Sequence, residues 1–392
     1  MGDSLTALAI DGSNWTDRGY AAFLRRFMGS QIDLPASNVF ATGGDTTAQI
    51  LSTWVVPCVA AQPDWCIVEA GINDLLATSP AIAPATTIAN LKAMYTVLIS
   101  AGIYVIAIPI RSTGTPHALS SAQMQQQGYV NNWIKNFCAM TRGITYVDVN
   151  LPFIDFSSGE AQPMYVTDGI HDTPQGAIVT AQAVQTFLHT IVPGRDNRFT
   201  LIGDTFDAVN NPTGNLIPNG LMAGTAGNLI RGATGVTPDI WFGDANDGTV
   251  VFSKSTYPGY LNLSKATMTL SGSWTALQTP NLSNSTMVNF AAGDTLVGEI
   301  EADWNIASGI RSIGLAVFFQ NEGTLITSVR DGFDSGLGQW PSGTGSAVFR
   351  TEPFVVPANT TIVLLNAFVF PGDSTATSAV VNWSRASLRK IL

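Results

Sequence analysis

Charge is scarce in this sequence. Asp, Glu, Lys and Arg together make up 12% of 392 residues, and acidic residues outnumber basic ones by 28 to 18. The net charge is −10 and the isoelectric point about 4.6. No cluster of Lys and Arg stands ready to neutralise phosphates, so the footprint of a nucleic-acid binder or of a surface that grips anionic membrane is missing. An acidic surface is compatible with a neutral polysaccharide and also aids solubility.

Cysteine is nearly absent. Cys58, Cys66 and Cys138 are an odd set, which cannot pair completely within one chain, and no CxxC or Cys/His spacing suggests zinc. Each lies in an apolar context (TWVVPCVA, DWCIV) and reads as a small buried hydrophobe, so disulfides are not a requirement of the fold. No apolar run reaches the ~20 residues that a spanning helix needs. The opening residues, MGDSLTALAIDG, lack a charged segment followed by an apolar one and do not read as a secretory signal; a mature exported form is compatible with them.

Small and apolar residues are plentiful: hydrophobic residues reach 45%, with 37 Gly and 20 Pro. With few charges, the surface must be covered by Ser, Thr, Asn, Gln and Gly. That composition suits a β-rich, turn-rich extracellular or virion-associated protein, and the length implies more than one domain.

The first half alternates helical and extended patterns. Residues 18–28 (RGYAAFLRRFM) are amphipathic at helical spacing. Residues 46–61 predict a helix interrupted near Pro57, and 86–100, 121–140 and 174–191 predict three more, the last with Pro174 in its first turn. Between them, CIVEA (66–70), IYVIAIPI (103–110) and ITYVDV (144–149) read as buried strands. Strands alternating with helices imply a parallel sheet covered on both faces. Past VPGRDNRF (192–199) the pattern changes to short β-branched or aromatic runs separated by turns: GTVVFSK, ATMTLSG, SIGLAVFF, GSAVFRT, TTIVLLNAFVF and SAVVNW. That spacing predicts an antiparallel sandwich. The expected division is an α/β domain over 1–197 and an all-β domain over 198–392.

Four separated segments of the first domain carry the residue types of acyl-transfer chemistry: Gly2-Asp3-Ser4-Leu5, Gly43-Gly44-Asp45-Thr46, Gly71-Ile72-Asn73-Asp74 and Asp168-Gly169-Ile170-His171. Each falls where a parallel-sheet enzyme places function, in a loop after a strand or before a helix. A serine hydroxyl is a poor nucleophile until a base takes its proton. The candidate base for Ser4 is His171, one of three histidines. Asp168, three residues earlier on one tight turn, can reach back to the imidazole, fix its tautomer and stabilise the imidazolium. Acyl transfer also needs donors aimed at the developing oxyanion. The backbone N–H groups of Ser4 and Gly44 and the side-chain amide of Asn73 are candidates. Taken singly, these segments are equally a turn (GDS, Gly43-Gly44), a helix N-cap (Asn73-Asp74) and a surface loop (DxxH). Asp45 and Asp74 are expected to hold loops through backbone hydrogen bonds rather than to act as a second acid pair. His117, in RSTGTPHALSS, reads as a solvated loop residue that borders the site at most, and His189 as structural.

The ordered set GDSL, GGDT, GIND, DGIH resembles the SGNH (GDSL-type) hydrolase family over roughly residues 2–190. The resemblance implies a three-layer α/β/α, flavodoxin-like fold. It makes Ser4 the nucleophile and first oxyanion donor, Gly44 and Asn73 the other two donors, and Asp168 and His171 the acid–base partners. It implies hydrolysis of esters or thioesters, commonly acetyl groups on carbohydrates, with no metal or organic cofactor. One departure stands out. Family members carry a buried strand immediately before GDS, whereas here only Met1 precedes Gly2. The elbow is therefore expected to lose ladder hydrogen bonds on both sides, so that Ser4 is less rigidly placed than usual, unless residues upstream are missing.

The second half carries NLIPNG near its start, ASLRKI at its end, and Trp241, Trp274, Trp304, Trp340 and Trp383 between. It resembles carbohydrate-binding-module-like jelly rolls. Exposed Trp faces would stack on sugar rings, whereas a sandwich core would bury them, and the core is the simpler place for any one of them. Similar sandwiches serve as assembly modules in phage tail proteins.

The expected activity is that of a serine esterase removing O-acyl, most simply O-acetyl, groups from a carbohydrate or polysaccharide. A lipid esterase or thioesterase, and an adhesive virion tail protein with an idle hydrolase fold, are the competing readings. The expected partner is the acylated glycan, without nucleic acid or a membrane span; a homo-oligomer is compatible with the sequence.

Overall fold

A computed structural model of the chain describes residues 1–77, 82–192, 203–246, 248–257, 263–274, 279–332, 339–372 and 376–391. The chain divides into two compact units. The first comprises Met1–Ile10, Arg18–Leu24 and Leu34–Pro193; the second comprises Asp11–Asp17, Arg25–Asp33 and Gly194–Leu392. The division expected between residues 197 and 198 lies outside the described residues.

In the first unit, the three apolar runs form a parallel sheet of Trp65–Val68, Tyr104–Ala107 and Ile144–Tyr146, in that order. Val68, Val105 and Ala107 are wholly buried, as parallel strands covered by helices must be. The sheet continues beyond the first of these strands through single residues. Gly2 bridges in parallel to Glu69 on one side and to Ala41 on the other. Counted along the chain, the positions then run 2-1-3-4-5, the doubly wound order. Its switch point lies between Gly2 and Glu69, at the carboxyl ends of the strands, where such sheets bind ligands.

The expected helices form with shifted ends: Tyr20–Met28, Pro84–Ser100, Ser121–Met140 and Pro174–Leu188. Local chemistry sets their starts. Pro84 and Pro174 occupy the first turn, where no N–H is needed, and Ser120 with Gln123 forms a capping box. The helix expected over 46–61 breaks at Trp54 rather than at Pro57, giving Thr47–Thr53 and Val55–Ala61. Pro57 falls in the first turn of the second piece, so its missing N–H opens no ladder bond. Ile50, Leu91, Met94, Leu98, Val130 and Ile134 from these helices join Val68, Val105 and Ala107 in one core.

The second unit is built from two sheets. One contains Gly343–Arg350, Thr295–Ser308, Ala376–Ile391, Ser264–Ser273 and Thr249–Thr256 in that spatial order. The other contains Thr324–Asp331, Ile310–Asn321, Ile362–Pro371 and Asn281–Thr286. These strands pair antiparallel with their neighbours, and burial along them alternates with the two-residue period of a strand, as in Thr249–Thr256. The sheets face each other: Val317 and Leu365 of the second reach into the space that Gly298 of the first leaves free.

All five tryptophans of this half are core residues, none more than 6% exposed. Trp304 and Trp340 meet edge to face with ring centroids 5.4 Å apart. They fill the sandwich and offer no platform to a sugar ring. The same unit takes in residues that sequence reading assigned to the first domain. Arg26, in the amphipathic run 18–28, is buried; it donates to Asp17 (2.6 Å) and Asp331 (2.7 Å).

Candidate active site

The site begins with the two residues before Asp3. Gly2 N–H donates to Phe40 O (3.0 Å), and Glu69 N–H donates to Met1 O (3.1 Å). The expectation that the elbow would lose its ladder on both sides is therefore corrected: Gly2 is bridged on each flank. Only glycine fits there, since a Cβ would overlap the Glu69 carbonyl and the Thr6 hydroxyl. The chain then turns into a one-turn helix, Ser4–Ala7, with Asp3 as its N-cap accepting from Leu5 N–H (3.1 Å). Ser4 is the first residue of that turn, at the carboxyl end of the sheet.

Ser4, His171 and Asp168 meet as a relay. His171 Nε2 lies 2.9 Å from Ser4 Oγ, and His171 Nδ1 lies 2.7 Å from Asp168 Oδ2. The other carboxylate oxygen, Asp168 Oδ1, accepts from the backbone N–H groups of Ile170 (3.0 Å) and His171 (2.9 Å). Partial burial pushes the Asp168 carboxyl up, but these hydrogen bonds from the His171 backbone and ring and from Ile170 outweigh it and take its pKa down to about 2. The carboxylate is thus charged and can only accept, so Nδ1 carries the proton and Nε2 presents a lone pair to the serine hydroxyl. That is the tautomer a general base requires.

The two glycine-containing loops are tied to each other. Asn73 Nδ2 donates to Asp45 O (3.0 Å). Buried Asp74 accepts from Thr47 N–H (2.8 Å), Thr47 Oγ1 (2.5 Å) and Thr87 Oγ1 (2.7 Å). Asp45 accepts from Trp54 Nε1 (3.2 Å). Asp45 and Asp74 hold loops, but mainly through side-chain donors, three against the single backbone N–H of Thr47, rather than through the backbone bonds expected. Gly43 lies beside the nucleophile: a Cβ there would stand 3.7 Å from Ser4 Cβ. Gly44 has φ +85°, the left-handed region that favours glycine, with open space where a side chain would point. Among the described residues, neither the Ser4 N–H nor the Gly44 N–H donates to a protein acceptor. The Ser4 and Gly44 N–H groups and the second hydrogen of the Asn73 amide are therefore not taken up by protein acceptors among the described residues.

His117 departs from the sequence reading. It is exposed, but its Nδ1 lies 2.8 Å from the Asp168 backbone carbonyl, which can only accept. Its loop is bound to the same turn through Gly114 N–H to Gly169 O (2.7 Å). It is a member of the site's wall rather than a free loop residue. His189 caps the end of the helix Pro174–Leu188 and is exposed.

Sequence reading missed the polar groups beneath the relay. Arg111, 3% exposed, donates from Nε to Glu69 Oε1 (2.6 Å) and from Nη1 to Asp172 Oδ1 (2.7 Å). Asp3 is also buried, and burial together with the nearby Glu69 charge raises its carboxyl to about 7. A signal was present: Glu69 and Arg111 are charges at the ends of apolar strand runs, in a chain poor in charge. Among the described residues no cluster of His, Cys, Asp and Glu could hold a metal ion. The three cysteines are buried thiols.

A hydroxyl, an imidazole and an ionised carboxylate in hydrogen-bonding succession are the parts that a Ser-His-Asp relay uses. Residues 1–177 match the GDSL-like lipase/acylhydrolase family. Among solved structures, a GDSL-like lipase from Bacteroides thetaiotaomicron VPI-5482 is 18% identical, with 48% of this chain and 86% of that chain covered and a TM-score of 0.38. The acetyl xylan esterase AlAXEase is 15% identical, with 48% and 96% covered and a TM-score of 0.39. The enzymatically active domain of bacteriophage CBA120 tailspike protein 4 is 14% identical, with 45% and 21% covered and a TM-score of 0.30. No curated protein matches the chain.

Proposed function

We propose that this protein is a serine esterase that removes O-acyl groups, most simply O-acetyl groups, from a carbohydrate. The observation that carries the reading is the 2.9 Å approach of His171 Nε2 to Ser4 Oγ, with Nδ1 held by Asp168. Ser4 Oγ attacks the ester carbonyl while His171 takes its proton. The oxyanion is received by the N–H groups of Ser4 and Gly44 and by the Asn73 amide. His171 then protonates the departing sugar oxygen, and water activated by the same imidazole releases the acid. Asp168 stays ionised throughout, stabilising the imidazolium.

A carbohydrate ester suits the open relay. His171 and Asp168 side chains are 26% and 48% exposed, so an ester borne on a bulky polar chain can reach Ser4 without a deep apolar tunnel. The appended β-rich half would hold such a polymer by surfaces other than its tryptophans, or would serve assembly, in an extracellular or virion setting. Among the described residues no helix is long and apolar enough to cross a membrane.

One observation favours a lipid ester instead. Leu151, Phe156 and Met164 are exposed on the segment that leads into Asp168, the phenylalanine at 77%. A direct test is acetate release from a panel of acetylated polysaccharides, with Ser4→Ala as control, beside a chain-length series of nitrophenyl esters. Release of acetate together with preference for the acetyl ester supports the proposal. A clear preference for long chains rejects the sugar reading. Equal background rates in wild type and Ser4→Ala would leave an idle fold.

A further inference from the structure

Arg111 joins the two halves of the relay from below. Glu69, which accepts from its Nε, is the backbone ladder partner of Met1 and Gly2, immediately before the Ser4 turn. Asp172, which accepts from its Nη1, directly follows His171. The same Nη1 donates to Thr180 Oγ1 (3.1 Å) on the helix Pro174–Leu188, and the guanidinium lies over the Phe153 ring, 4.9 Å from its centroid. One planar group thus fixes the strand end that presents the nucleophile and the turn that presents the base.

Stability alone does not call for this arrangement. Burying an Arg with two carboxylates sacrifices the hydration of three ions, and apolar replacements of similar volume are often as stable or more so. The network is also incompletely paired: Glu69 Oε2, Asp172 Oδ2, Asp3 Oδ2 and Arg111 Nη2 are buried without a hydrogen-bond partner among the described residues. What a guanidinium fork supplies that an apolar cluster cannot is fixed, directional spacing between its two acceptors. We infer that Arg111 is a positioning residue, holding Glu69 and Asp172 so that Ser4 Oγ stays within hydrogen-bonding distance of His171 Nε2. The inference rests on reading Ser4 and His171 as the relay.

The guanidinium faces Asp3, Glu69, Tyr20 and Asp172, and His171 faces Asp168, Asp172 and Ser4. A loss in kcat at nearly constant KM, partly restored by lysine, is a signature that loss of packing alone does not produce.

The test compares wild type, Arg111→Met, Arg111→Lys and the neutral triple variant Glu69→Gln/Arg111→Met/Asp172→Asn. Readouts are thermal unfolding, kcat and KM on 4-nitrophenyl acetate across pH, and the rate of Ser4 labelling by a fluorophosphonate. Arg111→Met is expected to lose about 100-fold in kcat with KM nearly unchanged, the scale of a misplacement near 1 Å. Arg111→Lys recovers part of kcat, since an ammonium can serve one carboxylate well but not both in fixed geometry. The triple variant unfolds at or above the wild-type temperature yet stays slow. Wild-type kcat in Arg111→Met, or in the triple variant should Arg111→Met fail to fold, overturns the inference. A wild type that neither turns over nor labels removes the relay reading itself, and this inference with it.

Discussion

The two units of this chain carried two kinds of functional signal, and they fared differently. In the first, four short polar segments far apart in sequence come together, and Ser4, His171 and Asp168 meet at hydrogen-bond distances of 2.9 and 2.7 Å. In the second, five tryptophans that could have been a sugar platform all lie in the sandwich core. An ordered set of motifs constrains three-dimensional position, because each member must reach the same few atoms. An enrichment in aromatics constrains only burial, because a core needs large apolar side chains wherever it lies.

The sharpest way to break this contrast is to strip both signals and measure both properties. Ser4→Ala should lower esterase turnover by at least about 10³-fold, with the melting temperature unchanged. Asp168→Asn follows, costing about 10³- to 10⁴-fold, because the amide no longer imposes the Nδ1–H tautomer. Asn73→Ala should cost about 10²- to 10³-fold in kcat if its amide receives the oxyanion. A loss confined to KM would assign Asn73 to loop support through Asp45. On the other side, Trp241→Ala should cost about 3–5 kcal/mol of stability, read by denaturant unfolding, while the kcat of the folded protein on a small ester stays the same. A Trp variant that stays stable but loses polysaccharide binding would reverse the contrast.

The smallest expected effect concerns pH. Asp3 ionises near 7 in the folded protein against 3.8 ordinarily, chiefly through burial. The folded state therefore holds the extra proton between these values, and stability falls as pH rises from about 4 to about 7. Asp3→Asn keeps the oxygen that caps the Ser4 turn and removes the titration. Wild type should lose several degrees more of melting temperature between pH 5 and 8 than Asp3→Asn does; equal slopes would remove Asp3 as the source.

Much of the first unit was legible because its signals are local and periodic. Apolar runs bounded by capping residues and prolines marked the helices and the three longer strands. The remainder was not local. At the first strand position Met1 and Gly2 offer no periodicity to read, and their pairing is supplied by Phe40 and Glu69. Arg26 sits in a run of helical spacing that says nothing of its partners: Asp17 and Asp331 are brought to it by the fold, the second from 305 residues away. The ion cluster at Arg111 was half legible, since Glu69 and Arg111 interrupt apolar strand ends, but nothing in the spacing linked them to Asp172. His117 needed the fold outright: its ring meets a backbone carbonyl, and main-chain acceptors leave no trace in residue identity.

On the proposed function, Ser4 is an activated nucleophile and His171 is the group that activates it. Treatment with a fluorophosphonate followed by peptide mass spectrometry tests this directly. One adduct on Ser4 in the wild type is predicted, with labelling abolished in Ser4→Ala and slowed by orders of magnitude in His171→Ala. An unlabelled wild type, an adduct on another serine, or equal labelling of Ser4 with and without His171 would contradict the account.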